Sequence, residues 1–166
     1  MDKRLRKYDI KLFDLDEGTN RFDYRLEQDF FDGFGTMEFE KAGIDATVNI
    51  TKHGQLMEVD LHTRGHVELL DDRTAEPYMQ PLSGSIRTVL RFGPEYNDDN
   101  DDLILIPFDT PVFNVAQLLY ESVLLSIPMK HLDPKRPYEE EYPENEPAHI
   151  DPRWMELKKL LNDKNT

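Results

Sequence analysis

At 166 residues, with 38% hydrophobic and 33% charged positions, the chain suits one domain with its own core and is short for two. It has no cysteine, which excludes disulfides and every thiolate metal site; with no signal-peptide run or membrane-length apolar span, it reads as a cytoplasmic protein. The formal charge is −14, from 34 acidic and 20 basic residues.

Two short segments dominate that charge. Glu95, Asp98, Asp99, Asp101 and Asp102 form one; Glu139, Glu140, Glu141, Glu144 and Glu146 form the other, and neither contains Lys or Arg. Without them the balance is about −4, ordinary for a domain. The body is thus nearly neutral, with acidic appendages that repel phosphate and attract basic partners. Solubility is the ordinary alternative.

From Tyr8 to about Phe92 the pattern is period-two alternation, the mark of strands with one apolar face. Tyr8, Ile10 and Leu12 predict an opening strand, and Phe22, Tyr24 and Leu26 a second. Ile44, Ala46, Val48 and Ile50, then Lys52-His53-Gly54-Gln55, then Met57, Val59 and Leu61 predict a hairpin around a glycine turn. Val67 and Leu69 extend it, with an interruption expected at Gly65, and the alternation resumes after Pro77 and Pro81 through Ile86, Thr88, Leu90 and Phe92. The fold class is α+β: an antiparallel, β-rich meander or partly open barrel with a buried helix and a short C-terminal helix.

Gly93-Pro94 ends the last long strand, and the acidic run to Asp102 reads as a mobile loop before a short strand at Leu103–Pro107. A helix follows over 114–127, with Asn114 as N-cap, Gln117 as its capping-box partner, and Phe113 with Leu118 as a hydrophobic staple. It is apolar around most of its circumference and stops at Pro128. The domain thus spans 1–132; 133–150 is an acidic, proline-rich linker, and 151–163 a terminal helix opened by Asp151-Pro152-Arg153-Trp154. Trp154 either docks that helix on the body or engages a partner.

No enzyme signature emerges. Ser83, Ser85, Ser122 and Ser126 lie in no nucleophile-elbow context, and no glycine-rich phosphate loop is present. His62 and His66 have the H-x-x-x-H spacing of a helical metal pair, but on a strand they belong to a solvated face. Asp71 and Asp72 beside Arg73 read as a solvated turn. Neither a metal nor a cofactor is called for. For RNA, the candidate contacts are Lys3, Arg4 and Arg6 at the start and the strand face bearing Arg87 and Arg91.

The opening Tyr8-Asp9-Ile10-Lys11-Leu12, the central hairpin and the strand Gly65-His66-Val67-Glu68-Leu69-Leu70-Asp71-Asp72-Arg73 occur in the order of the YceD-like family, which the chain resembles. In that family, linked to accumulation of large-subunit ribosomal RNA, the strand usually runs into Cys-Asp-Arg-Cys. Here Asp71 and Thr74 stand at the cysteine positions, with Asp72 and Arg73 kept between them. A carboxylate and a hydroxyl cannot replace two thiolates on zinc, so any zinc-linked role is absent here. Glu121 within an apolar helix ending at Pro128, and Pro152-Arg153-Trp154, are similar to the family's later segments. The resemblance implies a non-enzymatic factor in large-subunit biogenesis.

Two modes of action remain open. In the first, the acidic segments, with Glu139–Glu146 and Trp154 foremost, bind a basic partner such as a large-subunit ribosomal protein. In the other, the protein is an RNA-binding module contacting ribosomal RNA through its basic strand face. Glu121, if buried, needs a partner, and Arg73 is the expected one.

Overall fold

Alternation along residues 18–93 produces four long strands, because every second side chain is apolar and must share a face. The computed structural model describes residues 3–35, 39–100 and 102–136, the side chain of Asn100 excepted. The strands are β2 (Gly18–Glu27), β3 (Ala42–His53), β4 (Leu56–Leu70) and β5 (Pro77–Gly93), joined antiparallel in that order. Between β2 and β3 lies a one-turn helix, α1 (Gln28–Phe31). The β3–β4 hairpin turns through Gly54-Gln55, with Gly54 at φ +62°, where a β-carbon would be strained.

Register fixes which face is the core. Val48 pairs with Leu61, Ile50 with Val59, and Met57 with Leu90, so these side chains point to one side, all fully buried. Each such burial contributes roughly 1.5–3 kcal/mol. The opposite face carries Arg21, Asp23, Arg25, Asp45, Thr47, Asp60, His62, Arg64 and Arg87, with Val89 beside the last of them.

Several expectations change. β4 is not interrupted at Gly65; the glycine lets β3 approach, since a β-carbon there would lie 2.1 Å from the Gly43 carbonyl oxygen. β5 runs unbroken through Pro81, which is tolerated because β5 has a second neighbour only from Val89 onward. The meander then breaks: β7 (Leu103–Pro107) joins β5 in parallel. The acidic run is not simply a loop either, for β6 (Asn97–Asn100) pairs with β7 and makes the sheet edge. The six-stranded sheet is open, in the order β2-β3-β4-β5-β7-β6.

The opening residues do not enter that sheet. Lys3–Tyr8 forms a 3-10 helix, and β1 (Asp9–Lys11) pairs only with β8 (Val112–Asn114), in a separate two-stranded ribbon. Leu5 and Tyr8, three apart, fall on one side of the 3-10 turn and are buried. Tyr8 packs its ring against Tyr24 and Phe30, and burial pushes its hydroxyl up.

The predicted helix is α2 (Ala116–Ser126), shorter than expected at both ends. Its N-cap is Val115, not Asn114, and makes no side-chain cap bond; Asn114, one residue further out, accepts from the Ala116 N–H through its Oδ1 at 2.9 Å. Gln117 does not close a capping box; its amide turns forward to Glu121 at 2.6 Å. Leu119 and Val123 are fully buried against the sheet, whereas Leu125 is 81% exposed, so the helix is not covered all round. The approach is close because β5 carries Gly84 under Ser122, and the Ser122 and Thr63 hydroxyls bond at 2.8 Å.

The described residues up to Lys135 form one compact unit. Glu139, Glu140, Glu141, Glu144 and Glu146, most of the proposed linker, and the terminal helix with Pro152, Arg153 and Trp154 lie outside the described residues. No described helix is long and apolar enough to cross a membrane.

Candidate partner-binding site

The open sheet face was the basic candidate, and most of its cations are already matched. Arg21 pairs with Asp23 at 2.9 Å, Arg25 with Asp45 at 2.7 Å, and Arg87 with Asp60 at 2.6 Å. At the sheet's margin Lys41 meets Glu68 at 2.9 Å. The Arg21 bond, then that of Thr47, holds the Asp23 carboxyl below its usual range, and Asp60 raises Arg87. Arg64 and Arg91 are exposed and make no ion pair among the described residues, but β5 separates them by eight positions of register. His62 and His66 stand on this same face, exposed, as the strand reading required. At the N-terminal turn Lys3, Arg4 and Arg6 are exposed, and Arg4 reaches the Asp32 carbonyl at 3.4 Å.

The acidic side has a different character. Between β5, the β6–β7 edge and α2 lies a cleft of about 590 Å³. Ile86, Ile104, Phe113 and Leu118 give it apolar walls, and Asp98, Asp102 and Glu121 bring three carboxylates. Among the described lining residues the one cation, Arg87, is bonded to Asp60. Asp98 accepts from the Tyr96 hydroxyl at 3.0 Å and Glu121 from Gln117, so neutral donors position these carboxylates without cancelling their charge. Burial, then Asp98 and the field of Glu121, pushes the Tyr96 hydroxyl up.

Glu121 therefore does not pair with Arg73. It is half-buried, its partner is Gln117, and Arg73 is engaged elsewhere.

Arg73 belongs to a tight turn built around Asp71. The Asp71 side chain is 1% exposed, so the reading of a solvated turn fails at this residue. Its oxygens accept from the backbone N–H groups of Arg73 at 2.9 Å, Thr74 at 3.2 Å and Asp133 at 2.8 Å, and from the Arg73 guanidinium at 2.9 Å. The guanidinium first, then the Asp133 N–H, holds this carboxyl well below the usual carboxylate range. Asp72 adds a reciprocal pair with His131: its N–H donates to the His131 carbonyl, and its carboxylate accepts the His131 N–H, both at 2.8 Å. Hydrogen bonds thus close the turn and strap residues 131–133 onto it. The donor set does not fit zinc, because the Asp71 oxygens are filled and Thr74 offers only a neutral hydroxyl.

Sequence reasoning had placed Asp98 and Asp102 in one acidic run and Glu121 on a helix. It had no means of seeing that they converge. Tyr96 carries no signal in the sequence, and Gln117 reads there as a capping-box partner; the only local hint of its bond to Glu121 is their i, i+4 spacing, which makes them neighbours on a helix surface.

Comparison with known families gives a match to the family described as large ribosomal RNA subunit accumulation protein YceD, over residues 59–161. The match takes in most of β4, the Asp71 turn, the cleft and α2, while the opening segment and β3 precede it. Neither the curated proteins nor the solved structures gave a match.

Proposed function

Because the chain belongs to the YceD family of large ribosomal RNA subunit accumulation proteins, we propose that it acts in large-subunit biogenesis by binding a basic partner, such as a large-subunit ribosomal protein, and not by transforming a substrate. The observation that carries this reading is the unequal treatment of charge. Arg21, Arg25 and Arg87 on the open face are spent on carboxylates beside them, leaving only the well-separated Arg64 and Arg91 there among the described residues, whereas the carboxylates of Asp98 and Glu121 rest on neutral donors. Unspent negative potential steers positively charged proteins and disfavours phosphate.

Deleting Glu139–Glu146 from the full chain tests the reading. Affinity for a purified basic ribosomal protein should fall and its salt dependence flatten; unchanged affinity removes these glutamates from the mechanism. The alternative, direct contact with ribosomal RNA, predicts a salt-dependent gel shift that Arg87→Ala with Arg91→Ala abolishes. The Arg87–Asp60 bond speaks against it, since phosphate would have to displace a carboxylate already 2.6 Å away.

A further inference from the structure

The cleft beside α2 has two features that select different parts of one ligand. Its carboxylates attract a cation; the half-buried Ile86 and the exposed Leu125 offer area that only an apolar group gains by covering. Ile104 and Leu118 are each almost buried, while Leu125 at the rim stands 81% exposed. A lone metal ion or polyamine would leave that surface wet, and an apolar peptide would gain nothing from the carboxylates. RNA would bring phosphate to a lining whose one cation among the described residues is held by Asp60.

We propose that this cleft binds a short basic–apolar segment of the partner protein, with a Lys or Arg side chain against Asp98 and Glu121 and a neighbouring aliphatic or aromatic side chain against Ile86 and Leu125, over the floor formed by Ile104 and Leu118. The inference rests on the reading that the protein captures a basic partner, and it assigns the place and chemistry of contact. Two carboxylates held by Tyr96 and Gln117 are pre-positioned, so a cation does not bear the cost of ordering them. The volume, about 590 Å³, falls within the range of clefts that take a ligand of a few side chains.

The test uses the full chain and three fluorescent synthetic peptides of equal length: one alternating Lys and Leu, one alternating Lys and Ser, and one alternating Glu and Leu. Binding should be strongest for Lys–Leu, with Lys–Ser weaker by about tenfold or more and Glu–Leu undetectable. Asp98→Asn with Glu121→Gln keeps shape and leaves most hydrogen-bonding capacity, and should weaken Lys–Leu binding by at least about tenfold. Equal affinity of that variant and the parent overturns the cleft, as does equal affinity for Lys–Leu and Lys–Ser.

Leu118→Met, a volume-conserving change, serves as a second variant: the Lys–Leu peptide should shift its methyl resonance, and an unshifted methyl at saturation also overturns the proposal. Single-stranded RNA that displaces the Lys–Leu peptide, or a dimer of the chain abolished by the double variant, would name a different occupant and overturn it too. Failure of the wider reading looks different, for then neither the lysine peptides nor any basic ribosomal protein binds the parent chain. If a basic ribosomal protein binds the parent and the double variant equally but not the chain lacking Glu139–Glu146, the cleft falls and the reading stands.

Discussion

Replacing Gly84 with alanine would test how closely α2 sits on the sheet. A β-carbon at that position would lie 2.4 Å from the Ser122 carbonyl oxygen, 2.8 Å from its hydroxyl and 2.9 Å from the Thr63 hydroxyl. Ordinary contact begins near 3.4 Å, so the helix backbone must retreat by about 1 Å. Rotamer changes cannot relieve this, because the nearest obstacle is main chain. Overpacking of this kind costs about 1–3 kcal/mol, and each kcal/mol lowers Tm by about 2–4 °C for a chain of this length. Gly84→Ala should therefore melt lower by roughly 2–12 °C in a calorimetric scan. Ser122→Ala removes the hydroxyl but leaves the carbonyl, so the double variant should recover only a small part of the loss. Parent-like melting of Gly84→Ala, or full rescue by Ser122→Ala, would refute the reasoning. The retreat would also displace Leu118 and Glu121, so peptide binding at the cleft should weaken in the same variant.

Two further perturbations separate polar roles. Asp71→Asn should lower Tm near neutral pH, with the gap to the parent closing in acid. The folded carboxyl is held below its ordinary value, so its stabilisation is complete above the unfolded value of about 3.9 and is lost as pH falls from there toward the folded one. Denaturant midpoints from pH 7 down to about 2 check this, and parallel curves would show that the carboxylate charge does not hold the turn. Thr88 is 1% exposed and its hydroxyl has no partner among the described residues, so Thr88→Val should raise stability by about 1 kcal/mol in urea unfolding; a loss would reveal a partner for that hydroxyl.

Strands β2 to β5 were legible because period-two alternation and a one-sided core are the same fact, expressed once in sequence and once in space. The glycine turn at Gly54 was legible for the same reason, being decided within a few residues. What escaped was decided at long range. Tyr8, Ile10 and Leu12 alternate as a strand would, but Leu5 three residues before Tyr8 joins them in the core, and only β8, about a hundred residues later, offers a pairing edge. Gly65 and Gly84 look like breaks in a strand pattern, yet each marks a close backbone approach whose other member is far along the chain. Asp71 reads as a surface turn until Asp133 arrives to bury it.

The cleft belongs to that second class, and this bears on how its acidity was interpreted. Counted along the chain, Glu95 to Asp102 is a run of charge, and such a run has solubility as its simplest explanation. In space the run splits: Asp99 bonds Asn97 within the strand edge, while Asp98 and Asp102 turn with Glu121 toward apolar walls. Asp98 and Asp102 are exposed and Glu121 is half-buried, so these carboxylates stand hydrated at the mouth of the recess, and a solubility role alone gives no reason for the three to gather beside apolar side chains. Their gathering beside Ile86 and Leu125 becomes favourable once a cationic, apolar group fills the recess, because the same ligand then pairs with the carboxylates and covers the open apolar side chains.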